Sequence, residues 1–245
     1  MITVLTTCYN AKDYIGQCIT SLRLQTHTDW RCYITDDMST DGSAERAEKY
    51  AGSDSRFVVI HNEQKLYQPG NYWSVLQRKE IADNDICITV DGDDWLPDAR
   101  VFQRVIDAYR PDTWITWGSF LTFANGRSRP GCSRPVADVT RVRSQPWCTS
   151  HLRTFRAFLY RAIKKEDLIA PSGNFWETTG DLSFMYPMLE MAGNGHARFL
   201  KSINYVYNYG NPLCDGHIHR EQQQAYETLI RAKPIYDLYV KESTG

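Results

Sequence analysis

A chain of 245 residues, 42% of them hydrophobic, is long enough to bury a sizeable core, and a single α/β domain over 1–245 is the expectation. A formal net charge of −1 gives no bulk attraction toward nucleic acid or an anionic membrane. Seven cysteines, odd in number and without a C-x-x-C pair, read as buried free thiols of a reducing compartment. The N-terminus has no basic leader and no apolar run reaches membrane-spanning length, so a soluble, cytoplasmic protein is expected.

In chain order, Ile2 to Thr6 reads as a buried strand, and Thr7-Cys8-Tyr9-Asn10 as its exit. Ile15, Cys18, Ile19 and Leu22 then recur with the i, i+3, i+4, i+7 spacing of one helical face. Strands are predicted at Arg31–Thr35, Phe57–Ile60 and Asp85–Val90, with helices at Ser43–Tyr50, Asn71–Lys79 and Asp98–Tyr109 between and after them. Asp41 or Ser43 is the expected cap of the Ser43 helix. Strand and helix alternate, which predicts a mostly parallel, Rossmann-like sheet flanked by helices, with ligands at the carboxyl ends of the strands.

The run Ile86-Cys87-Ile88-Thr89-Val90 ends in Asp91-Gly92-Asp93-Asp94, three carboxylates in four positions. Like charges gathered at a strand end repel one another and raise one another's pKa unless a cation neutralises them. A divalent metal beside a phosphate-bearing ligand would do so; a solvated acidic turn, with Asp94 or Asp98 capping the next helix, is the plainer alternative.

Three motifs at strand ends together carry a resemblance: Thr7-Cys8-Tyr9-Asn10, Asp36-Asp37-x-Ser39-x-Asp41-Gly42 and Asp91-Gly92-Asp93-Asp94. In that order they resemble the family 2 glycosyltransferases of the GT-A fold, over about the first 120 residues and more loosely through Asp181. The resemblance implies an inverting, metal-dependent enzyme that uses a nucleotide-diphosphate sugar, with residues 1–120 as the nucleotide-sugar half and 121–245 as a helical acceptor half. It implies that Thr7, Tyr9 and Asp37 line the base and ribose pocket, and that Asp91 and Asp93 hold Mn²⁺ or Mg²⁺ against the diphosphate. A core aromatic is the alternative for Tyr9. Asn71 falls where the family often has an Asn near the donor, and a helix N-cap is its alternative.

Beyond the nucleotide half, Trp114–Phe120 reads as a strand whose aromatics are mostly core. From Arg127 to Lys165 there are ten Lys or Arg against one acid, Asp138, and most of this stretch is read as a long loop and a solvated helix over His151–Ile163. Arg153 or a neighbour is the candidate diphosphate ligand. Family members usually carry Glu-Asp where this chain has Gly180-Asp181; the resemblance makes Asp181 the general base, and Glu177 could approach from the previous turn in place of the lost Glu. A strand over Ala197–Val206 follows. A late His serves some GT-A enzymes as a metal ligand, and His217 or His219 could do so here; a helix from Glu221 to Ala232 and a short tail helix after Lys233 close the chain.

The expected activity is transfer of one sugar, from a UDP-sugar by preference, to a saccharide or glycoconjugate hydroxyl. Two alternatives stay open: transfer to hydroxylated bases of DNA, which the basic stretch would serve, and a non-catalytic nucleotide-sugar binder. A nucleotidyltransferase is disfavoured because Thr7-Cys8-Tyr9-Asn10 has no phosphate-binding glycine.

Overall fold

The computed structural model describes residues 1–214 and 218–241. Four strands form its first part: β1 (Ile2–Cys8), β2 (Trp30–Asp36), β3 (Phe57–His61) and β4 (Ile86–Thr89). They alternate with helices α1 (Ile15–Arg23), α2 (Ser43–Ala51) and α3 (Tyr67–Leu76), and α4 (Val101–Ala108) follows β4. All four pair in parallel in the order β3-β2-β1-β4. Side chains alternate across the sheet with period two. Ile2, Val4, Cys32, Ile34, Ile86 and Ile88 face α1, α2 and α4, whereas Leu5, Tyr33 and Cys87 face the other side.

The sheet continues through β7 (Thr154–Arg156), β5 (Ile115–Ala124) and β6 (Arg127–Pro130), with β8 (Ala197–Asn208) parallel to β5. Strand β7 is antiparallel to both β4 and β5. The remaining helices are α5 (Ala157–Arg161), α6 (Gly180–His196) and α7 (Arg220–Ala232), with 3-10 turns at Val139–Ser144 and Lys165–Leu168. This is the GT-A fold: a central, mostly parallel sheet covered by helices on both faces.

Two expected helices are not formed. Over His151–Ile163 the chain makes strand β7 and then the five-residue α5. Leu152, Phe155, Leu159 and Ile163 are all buried as the apolar spacing requires, but Thr154–Arg156 fills the gap between β4 and β5, and sheet pairing overrides the helical period. After Lys233 the chain runs without helix across α6, where the Tyr239 N–H donates to the Met191 carbonyl at 2.9 Å. Helix α3 starts at Tyr67, a turn before the predicted Asn71, so Asn71 lies inside the helix and is not its N-cap.

The aromatics of the fifth strand are core, with Trp114, Trp117 and Phe120 buried. Six cysteines are buried and Cys132 is exposed; burial pushes the Cys8 and Cys32 thiols up to about 12, so they are inert apolar packing groups. Among the described residues no helix is long and apolar enough to cross a membrane.

Candidate active site

Parallel register brings the ends of β1, β2 and β4 to one edge of the sheet, with Cys8 opposite Asp36 and Leu5 opposite Thr89. The turns beyond them are tied to one another. The Asp37 N–H donates to the Cys8 carbonyl at 2.8 Å, the Asn10 N–H to Ser39 Oγ at 2.9 Å, and the Gly92 N–H to the Thr7 carbonyl at 2.9 Å. Asp41 caps α2 from the preceding loop by accepting the Ser43 N–H at 2.9 Å. A cleft of about 710 Å³ opens over this edge, and Thr7, Tyr9, Asp37, Asp91, Asp93, Arg153 and Asp181 all line it. A separate groove of about 510 Å³ runs along α1 and contains none of them.

Thr7 lines the cleft, and its Oγ1 is buried without a hydrogen-bond partner among the described residues. Tyr9 is 47% exposed, which excludes the core alternative, and Lys65 Nζ sits over its ring. Asp37 is buried and accepts from the Leu66 and Tyr67 N–H groups, at 2.8 and 2.9 Å, and from Asn62 Nδ2 at 2.8 Å. Asn71 does not reach the cleft. It is fully buried, and its Oδ1 accepts from the same Asn62 at 2.7 Å, so it supports Asp37 from behind.

The acid cluster divides by environment. Asp94 is completely buried; Tyr205 Oη donates to one of its oxygens at 2.6 Å and the Asn208 N–H to the other at 2.7 Å. Burial, then the charges of Asp93 and Asp91, push its carboxyl well above the ordinary range. Asp91 and Asp93 face the cleft, Asp91 accepting from Gln68 Nε2 at 2.8 Å and Asp93 from Asn211 Nδ2 at 2.7 Å. Gly92 between them is required by space, since a Cβ there would stand 3.1 Å from the Thr7 carbonyl oxygen and 3.2 Å from Cys8 Cα.

Asp91, Asp94 and the buried His151 offer ligand atoms within 4.8 Å of one another. Asp94 is committed to Tyr205 and Asn208, however, and acts as scaffold. Asp91 and Asp93 both line the cleft, and their carboxylates are hard oxygen donors of the kind a divalent cation takes. His151 is stacked on Tyr205 at 4.4 Å and has no partner for Nδ1 among the described residues. Of the late histidines, His217 lies outside the described residues, and His219 lines the cleft at the start of α7.

Asp181 stands in the first turn of α6, across the cleft floor from this cluster. Its Oδ2 accepts from Arg153 NH1 at 2.8 Å. Arg153, only 2% exposed, also reaches Asp91 Oδ2 at 3.4 Å and Thr89 Oγ1 at 3.3 Å, so one guanidinium bridges the two carboxylates. The missing Glu has a steric cause: a Cβ on Gly180 would lie 2.7 Å from Pro69 of α3. Glu177 is engaged elsewhere, accepting from Tyr226 Oη at 2.6 Å, Gln222 Nε2 at 2.9 Å and Asn174 Nδ2 at 3.0 Å.

Backbone strain gathers here. Four of the five non-glycine residues with positive φ, namely Asn10, Met38, Tyr67 and Thr179, line the cleft or adjoin a residue that does. Such conformations cost about 1–3 kcal/mol each and persist where surroundings enforce them.

The basic stretch does not form one surface. Arg143 pairs with Glu190, Arg153 with Asp91 and Asp181, and Arg161 with Asp83, while Arg156 donates to the Asn84 and Thr113 carbonyls. Sequence reasoning assigned no role to His151, Gln68, Tyr205 and Asn211. Each was ordinary in its local pattern; the closing of β7 and β8 onto the sheet brings His151, Tyr205 and Asn211 to the aspartates, and the start of α3 brings Gln68.

A strand-end cleft lined by Asp91, Asp93 and Asp181 on this topology is that of a GT-A-fold protein. The chain belongs to glycosyl transferase family 2, whose model matches residues 3–167. Among its relatives, the Bacillus subtilis protein named as glycosyltransferase EpsH is 36% identical over 95 residues, covering 39% of this chain and 26% of EpsH. Glycosyltransferase EpsJ of the same organism, by name uncharacterized, is 27% identical over 173 residues, covering 69% of this chain and 48% of EpsJ. The chain thus spans about a quarter to a half of these curated relatives. S. aureus TarS 1-349 in complex with UDP-GlcNAc superposes with a TM-score of 0.67 at 18% identity, over 94% of this chain and 65% of that one. Glucosyl-3-phosphoglycerate synthase from Mycobacterium tuberculosis, in complex with Mn²⁺, UDP and its product, superposes at 0.57 with 16% identity, over 94% and 79%.

Proposed function

We propose that the chain is an inverting glycosyltransferase that moves one sugar from a UDP-sugar to a hydroxyl of a saccharide or glycoconjugate. The observation that carries this reading is that Asp181 and the Asp91/Asp93 pair face one cleft whose far wall holds Thr7, Tyr9 and Asp37. Residues 1–120 bind the donor and 121–245 supply the base and the acceptor walls. Tyr9 offers its exposed ring to the base, displacing Lys65 toward the phosphates, and Thr7 Oγ1 and Asp37 offer polar contacts to base and ribose.

Asp181 takes the proton of the acceptor hydroxyl as its oxygen attacks the anomeric carbon, and the bond from that carbon to the diphosphate oxygen breaks on the opposite face. One displacement inverts the centre without a covalent glycosyl-enzyme. Asp91 and Asp93 would hold Mn²⁺ or Mg²⁺, which supplies charge neutralisation to the departing diphosphate. Arg153 keeps Asp181 aimed into the cleft, a positioning role rather than contact with the diphosphate. The UDP-GlcNAc named with TarS and the Mn²⁺ and UDP named with the synthase support this choice of donor and metal. The absence of Glu at position 180, the point in favour of a non-catalytic binder, follows from Pro69.

The test is nucleotide diphosphate release from UDP-, GDP- and dTDP-sugars, with Mn²⁺ and with chelator. We expect metal-dependent release from a UDP-sugar, abolished in Asp93→Asn and lowered about 10²–10⁴-fold in Asp181→Asn. Undiminished turnover in Asp181→Asn would remove it as the base.

A further inference from the structure

Within the proposed reaction, the acceptor side of the cleft has a chemical character of its own. Trp147, Trp176, Glu177, Leu182, Gln223 and Glu227 form its walls. The cations of the cleft are elsewhere engaged: Arg153 lies between Asp91 and Asp181, and Lys65 sits over Tyr9 on the nucleotide side. Glu227 is paired with Arg231 at 2.7 Å. Among the described residues Glu177 has no cationic partner, and the neutral donors Tyr226, Gln222, Asn174 and Ser172 fix its carboxylate at the cleft wall. The exposed arginines of the basic stretch, Arg127, Arg129, Arg134 and Arg141, do not line the cleft.

The second element is aromatic. Trp147 is half-buried and packs edge-on against Tyr186 at 5.6 Å. Tyr186 is in turn held between Arg143 at 5.5 Å and Arg231 at 5.2 Å, so the indole, which lines the cleft, has a rigid support. An indole face suits the apolar C–H face of a pyranose, and a fixed carboxylate suits hydroxyl donors.

We infer that this cleft selects an electrically neutral saccharide as acceptor, with Trp147 as its stacking platform and Glu177 as the residue that accepts sugar hydroxyls and turns away carboxylate- or phosphate-bearing acceptors. This rests on the transferase reading. Uronic-acid chains, phosphate-linked polymers and nucleic acid would all bring negative charge toward Glu177, which has no cationic partner among the described residues, while Arg231 and Arg143 are already paired with Glu227 and Glu190.

The experiment titrates matched aryl glycosides, a neutral hexoside, its uronic acid counterpart and its 6-phosphate, into protein loaded with UDP and Mn²⁺, read by calorimetry. The neutral glycoside is expected to bind about tenfold tighter than either charged one. Glu177→Gln, which removes the charge at nearly unchanged size and keeps one acceptor oxygen, shrinks that ratio at least about threefold, and Trp147→Ala weakens all three glycosides about tenfold, both with unchanged UDP affinity. Equal or tighter binding of a charged glycoside, no binding of the neutral one, or an unaltered ratio in Glu177→Gln would overturn the inference. UDP binding in the same titration separates the two levels: its loss in the wild type defeats the transferase reading itself, and its presence leaves that reading standing when the acceptor inference fails.

Discussion

Gly92 holds its place because the Thr7 carbonyl oxygen and Cys8 Cα lie 3.1 and 3.2 Å from where a Cβ would be. Gly92→Ala must therefore push the turn carrying Asp91 and Asp93 away from β1. UDP titration should record about tenfold weaker binding while the thermal midpoint moves by only a few degrees. His151 makes a prediction in pH. Burial, then the nearby Arg153 charge, holds its imidazole well below the ordinary 6.5, so the folded state keeps it neutral where the unfolded chain binds a proton. Its contribution to stability is complete above about 6.5 and is lost as pH falls below that, by up to about 1.4 kcal/mol per unit. Asp94, raised rather than lowered, acts with the opposite sign, favouring the folded state as pH falls. The readout is thus a difference: the advantage of wild type over His151→Phe in denaturant midpoint should shrink from pH 7 to pH 5. A constant difference would show that His151 does not titrate as described.

Among the elements, the join between α6, α7 and the 3-10 turn at Val139–Ser144 contains a buried ion pair, beside the bonds of Asn194 to Val139 and of Arg231 to the Arg143 and Gln145 carbonyls. Arg143 and Glu190 have side chains 7% and 0% exposed, and Arg143 also donates to the Ile230 carbonyl at the end of α7. A buried pair adds little net stability over an apolar one, but removing one partner strands the other. Arg143→Ala should cost about 3–5 kcal/mol in urea unfolding, with Glu190 left only the Tyr236 N–H. The loss would also loosen Tyr186 beneath Trp147. A cost under about 1 kcal/mol would mean that water replaces the guanidinium at no penalty.

Over the whole molecule, the cleft draws on both ends of the chain: Thr7 in β1, Asp37 just beyond β2, Asp91 beyond β4, Arg153 just before β7, and Asn211 beyond β8. Donor binding should therefore stabilise the entire fold. At a UDP concentration about 100 times the Kd, with Mn²⁺, the gain is about 2.7 kcal/mol, visible as an upward shift of the thermal midpoint. Chelator should abolish that shift, and Asp93→Asn should not show it. A full shift in the presence of chelator would assign diphosphate binding to the protein alone.

What could be read in the amino-acid order was whatever is local and periodic. The buried strands predicted at Ile2–Thr6, Arg31–Thr35 and Asp85–Val90, the amphipathic face of α1 and the acid-rich turn after β4 each follow from side chains a few positions apart, so the α/β class was legible from local pattern, whereas Thr7, Tyr9, Asp37 and Asp181 were singled out by the resemblance of three strand-end motifs to family 2 glycosyltransferases. Where local preference was weak, the sheet decided. Leu152, Phe155, Leu159 and Ile163 have helical spacing, yet the vacancy between β4 and β5 selected a strand at Thr154–Arg156. That selection turns Arg153 inward to Asp181 and Asp91 and sets His151 against Tyr205. Division of labour within Asp91-Gly92-Asp93-Asp94 is likewise tertiary: identical side chains become scaffold or ligand according to burial and to Tyr205 and Asn208, more than a hundred residues away. Gly180 takes its meaning only from Pro69, which no spacing along the chain brings near it.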